Sequence, residues 1–260
     1  MPTVHEIEKS LFDWAPRELA ESWDNVGHLI GDPAQEVSRI LIALDITEDV
    51  VREAMAKGAQ LIVSHHPVMN VRWHEREMQT LRPDTRLGSL QTLLVRQGIS
   101  AICMHTNLDA ADGGVNDCLA QTLGLSGLEA LSEEKIGRIG TLSCEKGLEE
   151  FLQDVVKLLG CRAVRYHDGG RRVHRVAVGG GACGDYIPQA IARGCDTFVT
   201  SDLRYNDFLD TRGLNLIDAG HFPTENVVCP AIRAYLFKAF PTVEAEISVS
   251  HRDAVQYYHL

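Results

Sequence analysis

Residues 61–67, Leu-Ile-Val-Ser-His-His-Pro, constrain the fold more than any other part of the chain. Their apolar start predicts a buried strand of a parallel sheet, and Pro67 prevents the strand from continuing. His65 and His66 therefore follow the carboxyl end of a strand, which is where α/β sheets place their binding sites. Because neighbouring residues of a strand point to opposite faces, both imidazoles reach one pocket only if the chain turns there, or if two bound ions lie side by side.

The segment before this strand predicts a helix between two strands. Residues 39–45 form an apolar run that ends in Asp45, and Thr47 and Gly58 mark the start and the end of the helix that follows. Residues 39–67 therefore form a strand-helix-strand unit, whose two strands are expected to pair in parallel.

Two further predictions concern the second half of the chain. Residues 168–171, Asp-Gly-Gly-Arg, predict a hairpin turn between strands at residues 162–166 and 174–178. Residues 244–249 predict a closing strand near the C-terminus.

The order of these elements predicts the α/β class, with two similar α/β domains of mixed or parallel sheets flanked by helices. A polar stretch at residues 133–138 marks the expected boundary. We expect residues 1–130 to form the first domain, completed by the C-terminal segment 223–260, and residues 131–222 to form the second. The expected metal site lies in the cleft between the two domains.

Composition and charge exclude several classes of function. The chain has 260 residues and a formal net charge of -11, which disfavours binding to a nucleic-acid backbone. It contains no apolar run of the roughly 18 residues that a membrane span requires, and its first residues do not resemble a signal peptide. The seven cysteines are scattered without a Cys-x-x-Cys pair, so we expect reduced thiols in a cytoplasmic protein.

Metal-ligating side chains follow four of the predicted strands. Imidazoles and carboxylates are the ligands of zinc, iron, manganese or nickel rather than of thiolate-preferring ions. The set is too large for one ion with an open position, and it suits two divalent ions about 3.5–4 Å apart that activate water for hydrolysis. The candidates are His65 with His66, His105 with Asp109, Asp202, and His221 with Glu225.

The spacing of His221 and Glu225 has two interpretations. The residues are four apart, so one helix face holds both if the helix includes them. Pro223 prefers the first helical turn, which offers the alternative that His221 precedes the helix and that Glu225 is a capping carboxylate in its first turn. Asp45 likewise either orients a ligand histidine or caps the helix that follows it.

Residues 179–184, Gly-Gly-Gly-Ala-Cys-Gly, offer a different function. They match the dinucleotide-binding pattern Gly-x-Gly-x-x-Gly between a strand and a helix, with Asp202 beyond them. The pattern is short, and a glycine turn at which two backbone segments pass closely explains it more simply. Its N–H groups remain candidates for binding a substrate phosphate.

Six segments are specific enough for comparison with a known family. They are Ser-Trp-Asp-Asn-Val-Gly at residues 22–27, the His-His-Pro segment at 61–67, His-Thr-Asn-Leu-Asp with the residues after it at 105–117, Val-Gly-Gly-Gly at 178–181, Asp-Thr-Phe-Val-Thr-Ser-Asp at 196–202, and Ile-Asp-Ala-Gly-His-Phe-Pro-Thr-Glu at 217–225. Together they resemble the YbgI/NIF3-like family, whose members are widely labelled GTP cyclohydrolase I type 2 homologs. The resemblance covers nearly the whole chain, in the compact form that lacks an inserted domain.

The resemblance implies two similar α/β domains and a toroidal homohexamer whose dinuclear metal sites face the inside of the ring. It places His105 at the margin of the site and implies five metal ligands. The five are His65, His66, Asp109, His221 and Glu225. The family often has glycine where this chain has Ser201 and histidine where it has Asn206, and both departures affect the expected role of that loop in proton transfer or substrate binding.

The family label implies a metal-dependent hydrolase, in which metal-activated water attacks the imidazole ring of GTP or a similar small-molecule substrate. His105 and Glu225 are then the candidate catalytic residues that move protons. Arg72, Arg76 and Arg204 are the candidate partners of a triphosphate in this acidic chain. The alternative is a non-catalytic, ring-shaped metal carrier or a scaffold for protein partners.

Overall fold

A computed structural model describes residues 1–69 and 80–258 of the chain. Arg72 and Arg76, two of the candidates for triphosphate binding, lie outside the described residues. In the described part, strands alternate with helices and form two separate sheets, which confirms the predicted α/β class. No helix in that part is both long enough and apolar enough to cross a membrane. All seven cysteines lie in the described residues, where none of them forms a disulfide bond and most are buried.

Strands and helices are numbered along the chain. The strands are β1 (Gly27–Ile30), β2 (Arg39–Ala43), β3 (Leu61–Ser64), β4 (Ser100–Cys103), β5 (Ser126–Ala130), β6 (Arg138–Lys146), β7 (Arg165–His167), β8 (Val173–Val178), β9 (Thr197–Thr200), β10 (Asn215–Asp218) and β11 (Glu244–Ile247). The helices are α1 (Val4–Trp14), α2 (Glu48–Lys57), α3 (Arg86–Gln97), α4 (Thr106–Ala110), α5 (Val115–Thr122), α6 (Leu148–Leu159), α7 (Ile187–Ala192), α8 (Tyr205–Asp210), α9 (His221–Glu225) and α10 (Cys229–Ala239).

Each sheet belongs to its own compact unit of the chain. Unit 1 contains Met1–Ala111 and Cys229–Arg252. Unit 2 contains Asp112–Val228 and the C-terminal segment that begins at Asp253. Most of unit 2 is therefore inserted, along the sequence, between the two segments of unit 1.

The sheet of unit 1 has the strand order β1-β4-β3-β2-β11, and β1 is the strand that runs antiparallel to its neighbour. The parallel pairing of β2 with β3 confirms the predicted strand-helix-strand unit. Its helix α2 begins and ends as expected, because Thr47 accepts a hydrogen bond from the N–H of Val50 and Gly58 adopts a left-handed conformation with φ 66°. Buried apolar side chains from β2, β3 and α3, among them Leu41, Ile62 and Leu94, form one core.

The sheet of unit 2 has the strand order β5-β6-β8-β9-β10-β7. The strands β8, β9 and β10 pair in parallel, whereas β5, β6 and β7 are antiparallel to their neighbours. A second core includes Phe151 from α6, Val176 from β8 and Ile217 from β10. The predicted combination of mixed sheets and flanking helices is therefore confirmed for both units.

The predicted hairpin around residues 168–171 is wrong. The strand before the turn, β7, pairs antiparallel with β10, because both edges of β8 are already occupied by β6 and β9. The side chain of Asn215 holds the connection beside β10, since its Oδ1 accepts a hydrogen bond from the N–H of Gly169 (3.0 Å) and its Nδ2 donates to the carbonyl of Arg171 (2.9 Å).

The unit boundaries differ from the expected domain boundaries at both junctions. Residues 112–130 belong to unit 2, because β5 pairs with β6 and α5 packs against β6. Near the C-terminus, residues 229–252 return to unit 1, where β11 pairs in parallel with β2 and confirms the predicted closing strand. Residues 223–228, which we expected in the first domain, remain with unit 2.

The buried carboxylate of Glu53 fixes α2 to the segment that follows β11. It accepts hydrogen bonds from the hydroxyl of Ser248 (2.6 Å) and from the N–H groups of Val249 (3.1 Å) and Ser250 (2.8 Å). Burial by itself would raise the pKa of the Glu53 carboxyl, but these hydrogen bonds and one from Lys57 lower it to about 2. Glu53 therefore stabilises the folded state as a carboxylate.

Replacing Glu53 with Gln is expected to lower the free energy of unfolding near pH 7 by about 2–3 kcal/mol, because an amide cannot accept all of these hydrogen bonds. The pKa of Glu53 is about 2 in the folded chain and 4.5 as its ordinary value. Its stabilising contribution is therefore complete above the ordinary value and is lost as the pH falls toward the folded value. Urea-induced unfolding at several pH values should show the difference between wild type and E53Q shrinking across that range.

Glu48→Gln, on the same helix, is the matched control. Glu48 is exposed, and its pair with Arg52 contributes at most about 0.5 kcal/mol. The role of Glu53 would be contradicted by a pH-independent effect of E53Q, or by an equal loss of stability in E48Q.

Candidate metal centre

The chain turns directly after β3 and so brings the two adjacent histidines together. The strand ends at Ser64, whose hydroxyl donates a hydrogen bond to the carbonyl of His66 (2.8 Å) across a bend. The rings of His65 and His66 have their centroids 5.0 Å apart. Of the two arrangements that the sequence left open, the structure has the one in which the backbone turns.

His105 supplies a third imidazole from the end of the neighbouring strand. It follows β4 and directly precedes α4. Its ring centroid lies 5.2 Å from that of His65 and 5.5 Å from that of His66. One ligand nitrogen from each of these three histidines lies within 4.8 Å of the other two, so unit 1 contains a cluster of three imidazoles, which we call the histidine cluster.

Each imidazole of the histidine cluster is oriented through its Nδ1 atom. His65 Nδ1 lies 2.8 Å from the carbonyl oxygen of Met104, His66 Nδ1 lies 2.8 Å from Asp45 Oδ1, and His105 Nδ1 lies 2.9 Å from Asp24 Oδ1. A carbonyl or carboxylate oxygen accepts a hydrogen bond, so a neutral ring carries its hydrogen on Nδ1 and presents the lone pair of Nε2. This is how proteins orient histidines that bind metals.

Asp109 adds a carboxylate to the histidine cluster. It lies in α4, four residues after His105, and its Oδ1 lies 3.7 Å from His65 Nε2. Imidazole nitrogens with one carboxylate oxygen are a common ligand set for zinc, iron, manganese and nickel. The donor chemistry of unit 1 therefore fits a divalent transition metal.

Asp24 is the residue of this region whose contacts the sequence did not predict. The Asp24 carboxylate accepts hydrogen bonds from the N–H (3.0 Å) and the hydroxyl (2.5 Å) of Thr106, at the start of α4. Burial by itself would raise the pKa of Asp24, but the hydrogen bond and charge of His105 and the hydrogen bonds from Thr106 lower it to about 2. The signal for Asp24 was its place in one of the six segments that carry the family resemblance.

In unit 2, His221 and Glu225 occupy the two ends of the five-residue helix α9. His221 Nε2 lies 3.0 Å from Glu225 Oε2, and His221 Nδ1 lies 2.6 Å from Asp202 Oδ2. The alternative in which His221 precedes the helix is wrong, because the helix begins at His221 and accommodates Pro223 in its first turn. Glu225 is the last residue of the helix and is therefore not an N-terminal cap.

The charges around His221 also suit a cation. Burial by itself would lower the pKa of His221, but the charge of Glu225, the hydrogen bonds to Asp202 and Glu225, and the charge of Asp202 raise it to about 11. Two carboxylates thus stabilise one positive charge at this imidazole. A divalent ion would supply that charge in place of the proton, as metal binding at histidine generally does.

The glycine-rich turn at residues 179–184 packs against α9. The N–H of Gly180 donates to Asn116 Oδ1 (2.9 Å), and the N–H of Gly181 donates to Thr224 Oγ1 (3.1 Å). Gly181 has φ 65°, and a Cβ atom there would lie 2.1 Å from Glu225 Oε1. These glycines therefore allow a close backbone approach, and the two N–H groups that a dinucleotide phosphate would need already have partners.

The loop after β9 carries the two departures from the family pattern. Ser201 is buried and donates its N–H to the carbonyl of Gly181 (3.0 Å), whereas Asn206 is exposed on α8. Arg204, the third candidate for triphosphate binding, is exposed and pairs with Asp207 (3.3 Å) and Asp185 (3.5 Å). Its positive charge is therefore compensated within unit 2.

Comparison with known families and proteins gives a consistent result. The model of the family described as Duf34/NIF3 (NGG1p interacting factor 3) matches residues 2–254. A Clostridium perfringens protein named GTP cyclohydrolase 1 type 2 homolog is 34% identical over 231 residues, which cover 85% of this chain and 86% of that protein. A Streptomyces coelicolor protein of the same name is 34% identical over 239 residues, which cover 86% and 82% of the two chains.

Solved structures share the fold over nearly the whole chain. A hypothetical protein of Staphylococcus aureus superposes with a TM-score of 0.90 at 30% identity and covers 98% of this chain and 99% of its own. A Bacillus cereus protein related to NIF3 superposes with a TM-score of 0.91 over 99% of both chains. Its identity is 24%, so this likeness supports the fold alone.

Gly181→Ala is expected to displace the carboxylate of Glu225 and to weaken the binding of added zinc by roughly ten-fold or more, as changes next to metal ligands commonly do. The positive φ also costs about 1–2 kcal/mol of stability for any residue with a Cβ atom. Competition with a chromophoric chelator measures the zinc affinity, and urea unfolding measures the stability.

Gly194→Ala separates these two effects. Gly194 has φ 71°, like Gly181, but a Cβ atom there meets nothing within 4 Å. G194A should therefore lose similar stability and keep the zinc affinity of the wild type. Equal zinc affinity in the two variants would show that the position of Glu225 does not matter for binding.

Proposed function

Because the chain belongs to the Duf34/NIF3 family, we propose that it holds two divalent metal ions and acts as a metal-dependent hydrolase on a small molecule. The observation that carries this proposal is the histidine cluster, in which an oxygen atom holds each Nδ1 and one ligand nitrogen of each ring lies within 4.8 Å of the other two. Ordinary core histidines do not require three such partners around one point.

We propose that ligands from both units hold the two ions, which are zinc, iron, manganese or nickel. Unit 1 would contribute nitrogen atoms and one carboxylate, and unit 2 would contribute the pair on α9. The ligands are His65, His66, Asp109, His221 and Glu225. The donor chemistry described for each unit supports this set, and so does the match of the family model to residues 2–254.

When bound, a pair of divalent ions supplies a Lewis acid that activates water and stabilises developing negative charge. The protein then has to accept and deliver protons next to that water. His105 suits this task, because its Nδ1 is engaged with Asp24 and its Nε2 can accept a proton. Glu225 is the second candidate, since its carboxylate is buried beside His221.

The name of the relatives points to GTP as a substrate to test, but a triphosphate is a demanding ligand for this chain. The net charge is -11, and Arg204 is already paired with two carboxylates. Substrate screening should therefore compare GTP with its nucleoside and with free purine bases. Hydrolysis of the uncharged compounds alone would identify the heterocycle, rather than the phosphates, as the recognised group.

Alanine variants in both units test the shared site by elemental analysis of protein purified without tags or chelators. We expect about two equivalents of metal in the wild type and loss of both ions in H65A and in E225A, with unchanged circular dichroism. His174→Ala is the control, because His174 is exposed on β8.

The pattern of metal loss decides between the arrangements. Loss of one ion from H65A and of the other from E225A would indicate two separate sites and would contradict the shared one. Full metal content in both variants would show that the side chains of His65 and Glu225 do not bind metal. Tight metal binding without turnover of any nucleotide or base would favour the non-catalytic carrier.

We also propose that the protein assembles as a toroidal homohexamer, as its family resemblance implies. Multi-angle light scattering should then give roughly six times the chain mass of 28.7 kDa. A mass of one chain at micromolar concentration would refute the hexamer.

A further inference from the structure

Asp24 has more contacts than a turn residue needs. Its side chain is only 1% exposed, and it lies in the loop between α1 and β1, far along the sequence from His105. It accepts four hydrogen bonds, three of which come from residues of unit 1 that are remote in sequence. The donors are His105 Nδ1, the N–H of Asn25, and the N–H and hydroxyl of Thr106.

The two oxygen atoms of Asp24 divide these donors between them. Oδ2 accepts both hydrogen bonds from Thr106, while Oδ1 accepts those from Asn25 (2.8 Å) and His105 (2.9 Å). The Thr106 hydroxyl accepts a hydrogen bond from the N–H of Glu21 (2.9 Å), so its own hydrogen is directed to Asp24. The carboxylate is thus held in one orientation, and it presents only lone pairs to the imidazole.

We propose that Asp24 is a positioning residue that holds neutral His105 in the tautomer with its hydrogen on Nδ1. The lone pair of Nε2 is then the atom that accepts a proton in the reaction. The catalytic part of this inference rests on the proposed function. The tautomer itself depends only on the contacts of Asp24 and can be measured without any substrate.

The neighbour of Asp24 supports this view of the loop. Asn25 Nδ2 donates a hydrogen bond to the carbonyl of Met69 (2.9 Å), in the segment that follows the His-His-Pro turn. Two adjacent side chains therefore hold the segments that leave β4 and β3. The ring of Trp23 also contacts that of His105 edge-on, with centroids 6.1 Å apart. The loop is thus built around the orientation of His105 rather than around its own turn.

Asp24→Asn is the informative change, because it keeps the size of the side chain and replaces one acceptor with a donor. The amide NH₂ has to face either Thr106, which offers two donors, or Asn25 and His105. With the NH₂ group toward Asn25 and His105, only the N–H of Asn25 is a competing donor, and the amide can donate a hydrogen bond to His105 Nδ1. D24N should therefore move the hydrogen of His105 from Nδ1 to Nε2.

The experiment uses the full chain with ¹⁵N-labelled histidine after removal of metal with a chelator. Long-range ¹H–¹⁵N correlation spectra, recorded about two pH units above the ordinary histidine pKa of about 6.5, distinguish the two tautomers of a neutral ring. His105→Gln identifies the signals of His105. We expect the Nδ1–H form in the wild type and a shift of most of the population to the Nε2–H form in D24N.

Two controls separate the tautomer from general damage. Asp13→Asn removes an exposed carboxylate from α1, and Thr106→Val removes the hydroxyl bound to Oδ2 but not the contact of Oδ1 with His105. Both variants should keep the Nδ1–H form. The inference is overturned if wild-type His105 has its hydrogen on Nε2, which needs no variant to fold, or if folded D24N keeps it on Nδ1.

Kinetics add a second readout where the wild type turns over a substrate. D24N should then lower kcat about 100-fold or more at unchanged metal content and nearly unchanged KM, whereas D13N should match the wild type. Loss of metal from D24N would instead assign Asp24 to metal binding and would contradict its role through His105. Absence of turnover in the wild type would refute the proposed function, but the tautomer measurement would still test the role of Asp24.

Discussion

The histidine cluster depends on the register between β3 and β4. Their parallel pairing places Ser64 opposite Cys103, so that both strands end at the same level. The N–H of Met104 continues the ladder by donating to the carbonyl of Ser64 (2.9 Å). A slip of one residue in either strand would turn the following side chains to the opposite face and separate the imidazoles. The pairing of two buried strands thus sets the distances between the imidazoles that follow their ends.

Beyond that register, hydrogen-bonded oxygen atoms set which nitrogen of each ring is available. One carbonyl and two carboxylates hold the rings of the histidine cluster, and Asp202 has the same relation to His221 in unit 2. These oxygen atoms lie on segments that are remote in sequence from the rings that they hold. The chemistry of the centre therefore requires a complete fold, although its nitrogen donors cluster in short motifs.

Local sequence patterns predicted much of this structure. They failed where contacts between residues remote in sequence determine the pairing of a strand or the partners of a side chain. Short local patterns in the sequence were enough to predict three features that the structure confirms. These are the strand before His65, the ends of α2 at Thr47 and Gly58, and the closing strand β11. The hairpin failed because the sheet order, rather than the turn sequence, chose the partner of β7. The contacts of Asp24 were missed because a carboxylate in a turn has the same local signature whether it caps its own turn or a helix remote in sequence. Compact unit 2 begins at Asp112, ahead of α5 and β5, because both elements contact β6, and no local pattern marks such a contact.

The insertion of unit 2 between the segments of unit 1 has a consequence for synthesis on the ribosome. The edge of β2 that pairs with β11 has no strand to complete it until residues 244–247 have been synthesised. During that interval β2, which is apolar from Ile40 to Ala43, presents unpaired backbone groups to other nascent chains. Unit 2 is contiguous apart from its C-terminal segment, so most of it can fold while unit 1 is still unfinished. The protein is therefore most exposed to misassembly between the synthesis of β2 and that of β11, and chain termination in this interval would release an aggregation-prone product.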